Sequence, residues 1–190
     1  MIPKIEFEHS WLYDSRLKRR RGFVMPKEAE FWRGIAKLEK RWKKIELRVL
    51  REISRVTKLR WQEKDVVCYM TAGVRPYSNP ITISLRKDVG EMIDTLVHEL
   101  IHRIYSEPEN FKRVKKNWYG IVKRYEKYSR TTKYHVSILA VHEHILRKYF
   151  TKKSLERQRE ANGNKDYIRA WAIVEKEGYR NIIKKLTRGL

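Results

Sequence analysis

The segment "TLVHELIHRIY" (residues 95–105) places two histidines and a glutamate at a spacing that could bind a metal ion and activate water. On a helix, His98 and His102 point about 40° apart and one turn above each other, so their ring nitrogens can converge on one ion. Glu99 points about 100° from His98, where a base could take a proton from a water molecule on the metal. The pattern predicts that His98 and His102 bind zinc (Zn2+) and that Glu99 is the general base.

A catalytic zinc ion takes three protein ligands and keeps one position open, so a further ligand must come from elsewhere. The segment "YHVSILAVHEHILRKYF" (residues 134–150) offers candidates. His135 and His142 point within about 20° of each other, near the middle of the apolar face of a predicted helix. Glu143 falls near the margin of that face, and His144 points almost opposite, towards solvent. We expect His142 to be the third ligand, with His135 and Glu143 as alternatives.

The first two histidines require a helix, and the surrounding residues predict one independently of the motif. Asp88 and Glu91 have the spacing of a capping box, so a helix should begin at Asp88 and continue to about Tyr105. Apolar residues recur on one face of it, namely Val89, Ile93, Leu96, Val97, Leu100 and Ile104. Two short runs rich in β-branched residues precede it, "DVVCYM" and "PITISL", and we predict both to be strands.

The rest of the chain reads as further helices and a basic N-terminal segment. Residues 1–26 mix aromatic residues with a run of basic ones, and we expect an irregular arm there. The predicted helices span residues 27 to about 60, 108 to about 128, about 134 to 150, and from near 166 onwards with an interruption at Gly178. We therefore predict an α+β fold, mostly helical, with a short sheet before the motif helix. Residues 27–190 should form a single domain, with its core at about 60–150 and a helical extension at 151–190.

At His98, Glu99 and His102 the sequence resembles the zincin metallopeptidases, and the resemblance covers roughly residues 60–150. It implies a small zincin-like domain that uses zinc to hydrolyse peptide bonds in a peptide or protein substrate. It also implies that the motif helix lies behind a sheet whose edge strand, here "PITISL", pairs with an extended substrate. The short chain looks like the minimal gluzincins, which would use Glu143 as third ligand, or the SprT-like group, which would use a histidine. Arg103 stands where zincins usually have an uncharged residue.

The charge of the chain indicates an anionic partner. Its 190 residues include 45 Lys and Arg against 23 Asp and Glu, a formal net charge of +22. Such an excess favours DNA or RNA, although adaptation to heat also enriches a surface in charged residues. Association with DNA is also what resemblance to the SprT-like group implies. The candidate phosphate-binding residues are Lys18, Arg19, Arg20, Arg21, Lys43, Lys44, Lys115 and Lys116. An alternative function is therefore nucleic-acid binding on a zincin-like scaffold whose metal is structural or vestigial.

Cysteine content and hydropathy restrict the remaining possibilities. Cys68 is the only cysteine, which excludes an intrachain disulfide and a cysteine-based zinc site. The N-terminus has no apolar segment of signal-peptide length, and no run approaches the ~18 apolar residues of a membrane span. We expect a cytoplasmic protein that does not bind membranes.

Overall fold

The computed structural model describes residues 1–18, 23–160 and 164–190. It divides the chain into two compact units: unit 1 comprises residues 1–50 and 61–103, and unit 2 comprises residues 51–60 and 104–190. Most of the described residues are helical and one small sheet is present, which confirms the predicted α+β class.

Unit 1 contains the sheet and most of the motif helix. Its strands are β1 (Lys4–His9), β2 (Asp65–Thr71), β3 (Tyr77–Ser78) and β4 (Ile81–Ser84), in the spatial order β1-β2-β4-β3. β1, β2 and β4 run parallel, and β3 pairs antiparallel with β4. Its helices are α1 (Trp11–Lys18), α2 (Glu28–Trp42), the start of α3 (Glu46–Thr57) and α4 (Val89–Ser106) as far as Arg103.

The prediction of an irregular N-terminal arm is wrong for residues 4–18. β1 pairs with β2 along its whole length, from Lys4 opposite Asp65 to His9 opposite Met70. The buried Ile5 also donates its backbone N–H to Glu46 at 2.8 Å. The alternation of apolar and charged residues in "KIEFEH" covers only six residues, and its strand partner lies about sixty residues away, so the local pattern does not reveal the pairing.

The prediction that "PITISL" forms the edge strand is also wrong. β4 lies between β2 and β3, so both of its sides are paired, and all four of its residues are buried. The edge beside β4 is the two-residue strand β3. Thr82 and Ser84, the polar residues of this strand, are buried as well, and the Ser84 hydroxyl donates to the Val74 carbonyl at 2.5 Å.

The single long helix expected at residues 27–60 is two helices. α2 ends at Trp42, and a turn over residues 43–45 precedes α3. The Glu46 side chain holds this turn, because it accepts hydrogen bonds from the Trp42 indole at 3.0 Å and from the backbone of Ile5. Residues 43–45 include no glycine or proline that would mark the break. The apolar residues Phe31, Ile35, Leu38, Trp42, Val49 and Ile53 are nevertheless buried.

Unit 2 is a helical assembly. It contains the end of α3 and of α4, followed by α5 (Pro108–Arg124), α6 (Arg130–Tyr149), α7 (Lys152–Glu160), α8 (Lys165–Glu177) and α9 (Tyr179–Leu186). α6 packs mainly against α8 and α9. Gly178 separates these two helices with a φ of 78°, a conformation that favours glycine, so the predicted interruption is confirmed. α7 was not predicted. None of the described helices has the length and hydrophobicity needed to cross a membrane.

A buried carboxylate links α3 to α6 within unit 2. Glu52 accepts hydrogen bonds from Arg55 at 2.5 Å, from His144 at 2.6 Å and from Lys148 at 2.8 Å. These hydrogen bonds, with that from Arg55 the strongest, hold the pKa of the Glu52 carboxyl below its ordinary value of 4.5. His144 therefore does not point into solvent as predicted, because Glu52 covers its ring nitrogen.

We expect Glu52→Gln to lower the free energy of unfolding by about 2 kcal/mol at neutral pH, the scale of a hydrogen bond to a charged group. The depressed pKa means that this stabilisation is complete above the unfolded-state pKa and is lost as pH falls below about 4.5. Urea titrations of variant and wild type should therefore converge as pH falls below that value. Glu109→Gln is the matched control, because its ion pair with Lys112 is exposed and should contribute less than about 1 kcal/mol. A constant difference from neutral to acid pH would contradict the assignment.

Candidate metal centre

Helix α4 carries the histidine motif, and its start is fixed as the sequence predicts. The Asp88 side chain accepts the Gly90 N–H at 2.7 Å, and the Asp88 carbonyl accepts the Glu91 N–H at 3.2 Å. These bonds satisfy backbone donors that have no partner within the helix. The apolar face is fully buried at Ile93, Leu96, Val97, Leu100 and Ile104. The helix therefore holds the two histidines in a defined orientation, one turn apart.

The two motif histidines turn their ring nitrogens towards each other. The Nε2 atoms of His98 and His102 are 3.2 Å apart, and the ring centroids are 4.8 Å apart. Two nitrogens that each lie about 2.05 Å from a tetrahedral zinc ion are about 3.3 Å apart. The pair is therefore spaced as two ligands of one zinc ion would be, and the residues fit the metal that the sequence predicts. His98 is buried and His102 is partly exposed.

Glu99 lies beside this pair in an apolar environment. Its side chain is buried, and burial raises the pKa of the Glu99 carboxyl to about 8. Its charge in turn acts on the buried thiol of Cys68 in β2, whose pKa is raised mainly by burial. A bound cation would favour the carboxylate form of Glu99. A carboxyl whose pKa lies near neutrality can accept and return a proton at working pH.

The unusual charge after the second histidine is neutralised within unit 1. The Arg103 guanidinium forms an ion pair with Glu63, which precedes β2. The positive charge is therefore balanced by a carboxylate, which reduces its repulsion of a cation bound nearby. Sequence reasoning missed Glu63, because the two residues are 40 positions apart and no local pattern connects them.

In unit 2, hydrogen bonds at both ring nitrogens orient His135. Its Nδ1 lies 2.7 Å from the Thr131 carbonyl, which can only accept, so Nδ1 carries the proton. Nε2 then bears the lone pair and accepts a hydrogen bond from the Tyr167 hydroxyl at 2.8 Å. A backbone carbonyl on one nitrogen and a lone pair on the other is the usual arrangement of a metal-binding histidine. Burial lowers the pKa of His135, which favours the neutral form that metals require.

The other two candidates on α6 have different surroundings. His142 is fully buried, and its ring centroid lies 6.3 Å from that of Trp171 in α8. Glu143 is also buried, and its carboxylate accepts from Arg147 at 2.7 Å and from Arg159 at 3.3 Å. Two guanidinium groups thus already compensate the charge of Glu143, which makes it a poor candidate for a cation.

No protein-family model, curated protein or solved structure matches this chain. The assignment of the site therefore depends on the chemistry of its own residues.

The predicted phosphate-binding residues fall into three groups. Lys43 and Lys44 lie exposed in the turn between α2 and α3, and Lys115 and Lys116 lie exposed on α5. Lys18 is the last residue of α1. Arg19, Arg20 and Arg21 lie outside the described residues. The aromatic residues Trp42 and Trp118, which are adjacent to some of these charges in sequence, are buried, so they belong to the core.

Proposed function

We propose that the protein is a zinc-dependent metallopeptidase in which Glu99 is the general base and His98, His102 and His135 hold the ion. The observation that carries the proposal is the 3.2 Å separation of the two motif Nε2 atoms beside a buried carboxyl whose pKa lies near neutrality. Three imidazole ligands and one open coordination position are typical of catalytic zinc.

His135 takes the place of His142 as the preferred third ligand. The hydrogen bond from Nδ1 to Thr131 presents the His135 Nε2 lone pair in the tautomer that a metal requires. The Tyr167 hydroxyl uses the same lone pair, so it must release His135 when an ion binds.

In the proposed reaction, the histidines bind the metal and Glu99 transfers protons. Zinc, when bound, supplies a Lewis acid that polarises the substrate carbonyl and lowers the pKa of water. The three histidines would hold the ion, and Glu99 would remove a proton from the attacking water. The protonated Glu99 can then donate that proton to the leaving amine. Burial of Glu99 supports this role, because it brings the proton affinity of the carboxyl close to what both transfers need.

The third ligand can be tested with a matched pair of variants on α6. We expect His135→Gln to weaken zinc binding by at least about a hundredfold, since loss of a residue that merely orients a ligand already costs about 10- to 100-fold. His142→Gln should keep zinc affinity within a few-fold, because its surroundings are those of a core residue. Competition with a chromophoric chelator measures both affinities. If only His142→Gln lost zinc affinity, His142 would be the third ligand, as the sequence predicts.

Dependence of proteolysis on the metal tests the proposed function itself. The purified protein should cleave an unfolded protein substrate, a chelator should abolish cleavage, and stoichiometric zinc should restore it. Mass spectrometry of the fragments would distinguish hydrolysis of peptide bonds from other loss of substrate. Stoichiometric zinc without cleavage of unfolded or folded substrates would favour the alternative, a binding protein with a structural metal.

A further inference from the structure

The outer face of helix α5 concentrates positive charge around one aromatic side chain. The helix contains six basic residues and one acidic residue, Glu109. At helical spacing, four lysines point within about 60° of Tyr119. They are Lys112, Lys115, Lys116 and Lys123. Tyr119 itself is 50% exposed, in the middle of this group. We call this set of five residues the Tyr119 face.

Most of the charge on this face has no acidic partner. Lys112 forms an exposed ion pair with Glu109 at 2.7 Å. Within the described part of the chain, no acidic side chain pairs with Lys115, Lys116 or Lys123. The face therefore retains a local excess of positive charge within a chain whose net charge is already +22. Such an excess attracts a polyanion.

The exposed aromatic residues add a feature that charge alone does not explain. Tyr119 packs edge-on against Phe111, with ring centroids 6.2 Å apart and planes at 80°. Phe111 is itself 37% exposed, whereas Val114, Trp118 and Ile121 on the opposite side of α5 are buried. The edge-on packing restrains the Tyr119 ring without covering both of its faces. A restrained aromatic ring among lysines is suited to stack on an unpaired base while the lysines contact phosphates.

We propose that the Tyr119 face binds single-stranded nucleic acid, with Tyr119 stacking on a base and Lys115, Lys116 and Lys123 contacting phosphates. Single strands fit better than duplexes, because the bases of a duplex are already stacked and cannot cover the ring. A membrane surface fits less well, because an interfacial helix inserts its apolar face, and here Val114, Trp118, Ile121 and Val122 are buried within the protein. The proposal does not depend on a bound metal.

The test is fluorescence anisotropy with a labelled oligothymidine of about 16 nucleotides, the upper range of a single-strand binding site. The wild type should bind, and log K should fall by about 0.7 per log unit of salt for each phosphate contact. Lys115→Glu/Lys116→Glu should weaken binding about tenfold or more near 0.1 M salt and reduce the slope by about 1.4. Tyr119→Ala should weaken it at least about fivefold with the slope unchanged, and Tyr119→Phe should bind like the wild type.

The matched control is Lys152→Glu/Lys153→Glu, which reverses two adjacent exposed lysines on α7, a helix of unit 2 without aromatic residues. It should bind within a few-fold of the wild type. An equal loss in this control would overturn the proposal, because net charge alone would then account for binding. So would wild-type affinity in Tyr119→Ala, tighter binding to a duplex of the same length, or binding to anionic vesicles in preference to the oligonucleotide. Circular dichroism should show all variants folded, since every changed side chain is exposed.

Discussion

His98→Ala and His102→Ala should each reduce zinc from about one ion per chain to none. Each substitution leaves at most two of the three proposed ligands, and a catalytic zinc site needs three. The two Nε2 atoms are 3.2 Å apart, so both rings would bind the same ion. Neither histidine can therefore replace the other as a ligand. Elemental analysis after dialysis measures the result, and circular dichroism checks that each variant remains folded.

His144→Ala is the matched control for these two variants. It also removes a partly buried histidine from a helix, but its ring binds Glu52. This variant should keep its zinc and lose only stability. Full zinc occupancy in either motif variant would remove the basis of the proposed function, whereas loss of zinc in all three would indicate general unfolding.

Glu99→Gln should reduce peptide cleavage by about a hundredfold to ten-thousandfold while zinc content stays at the wild-type level. General acid–base catalysis contributes an acceleration of that size, and an amide cannot accept the proton. The buried position accommodates glutamine because the two side chains have nearly the same shape, and the substitution removes an ionisable group from an apolar site. Initial rates on an unfolded protein substrate, with zinc measured on the same samples, test this prediction.

Glu91→Gln is the matched control. It makes the same chemical change near the start of α4, where the side chain is only partly buried. Its cleavage rate should remain close to that of the wild type. If Glu99→Gln cleaved at the wild-type rate, another residue would be the base. If neither the wild type nor Glu91→Gln cleaved any substrate while both held zinc, the metal would be structural.

Much of the candidate site could be predicted because it depends on local periodicity. Asp88, Glu91 and the spacing of the apolar residues predict α4, and the four-residue spacing then places His98 and His102 on one side of it. The same reasoning correctly buries Ile93, Leu96 and Leu100 on α4 and separates α8 from α9 at Gly178. In each case the interacting groups lie within a few residues of each other, so the sequence alone contains the geometry.

Long-range pairing accounts for what the sequence did not reveal. Tyr167 is 32 residues from His135, Glu63 is 40 residues from Arg103, and Glu52 is 92 residues from His144. The direction of a side chain on its own helix does not say which group from another element will meet it. His135 and His142 point the same way on α6, and only the contacts with Thr131, Tyr167 and Trp171 distinguish them.

The sequence by itself determined the α+β class and the excess of positive charge, and it predicted the candidate metal-binding pair and the candidate base beside it. The tertiary structure decided the order of the strands, the strand formed by residues 4–9, the partners of the buried charges and the surroundings of each histidine on α6. The physical reason is that helical and strand periodicity is set by neighbouring residues. Strand order and side-chain partners are instead chosen by the free energy of packing among segments that are distant in the chain.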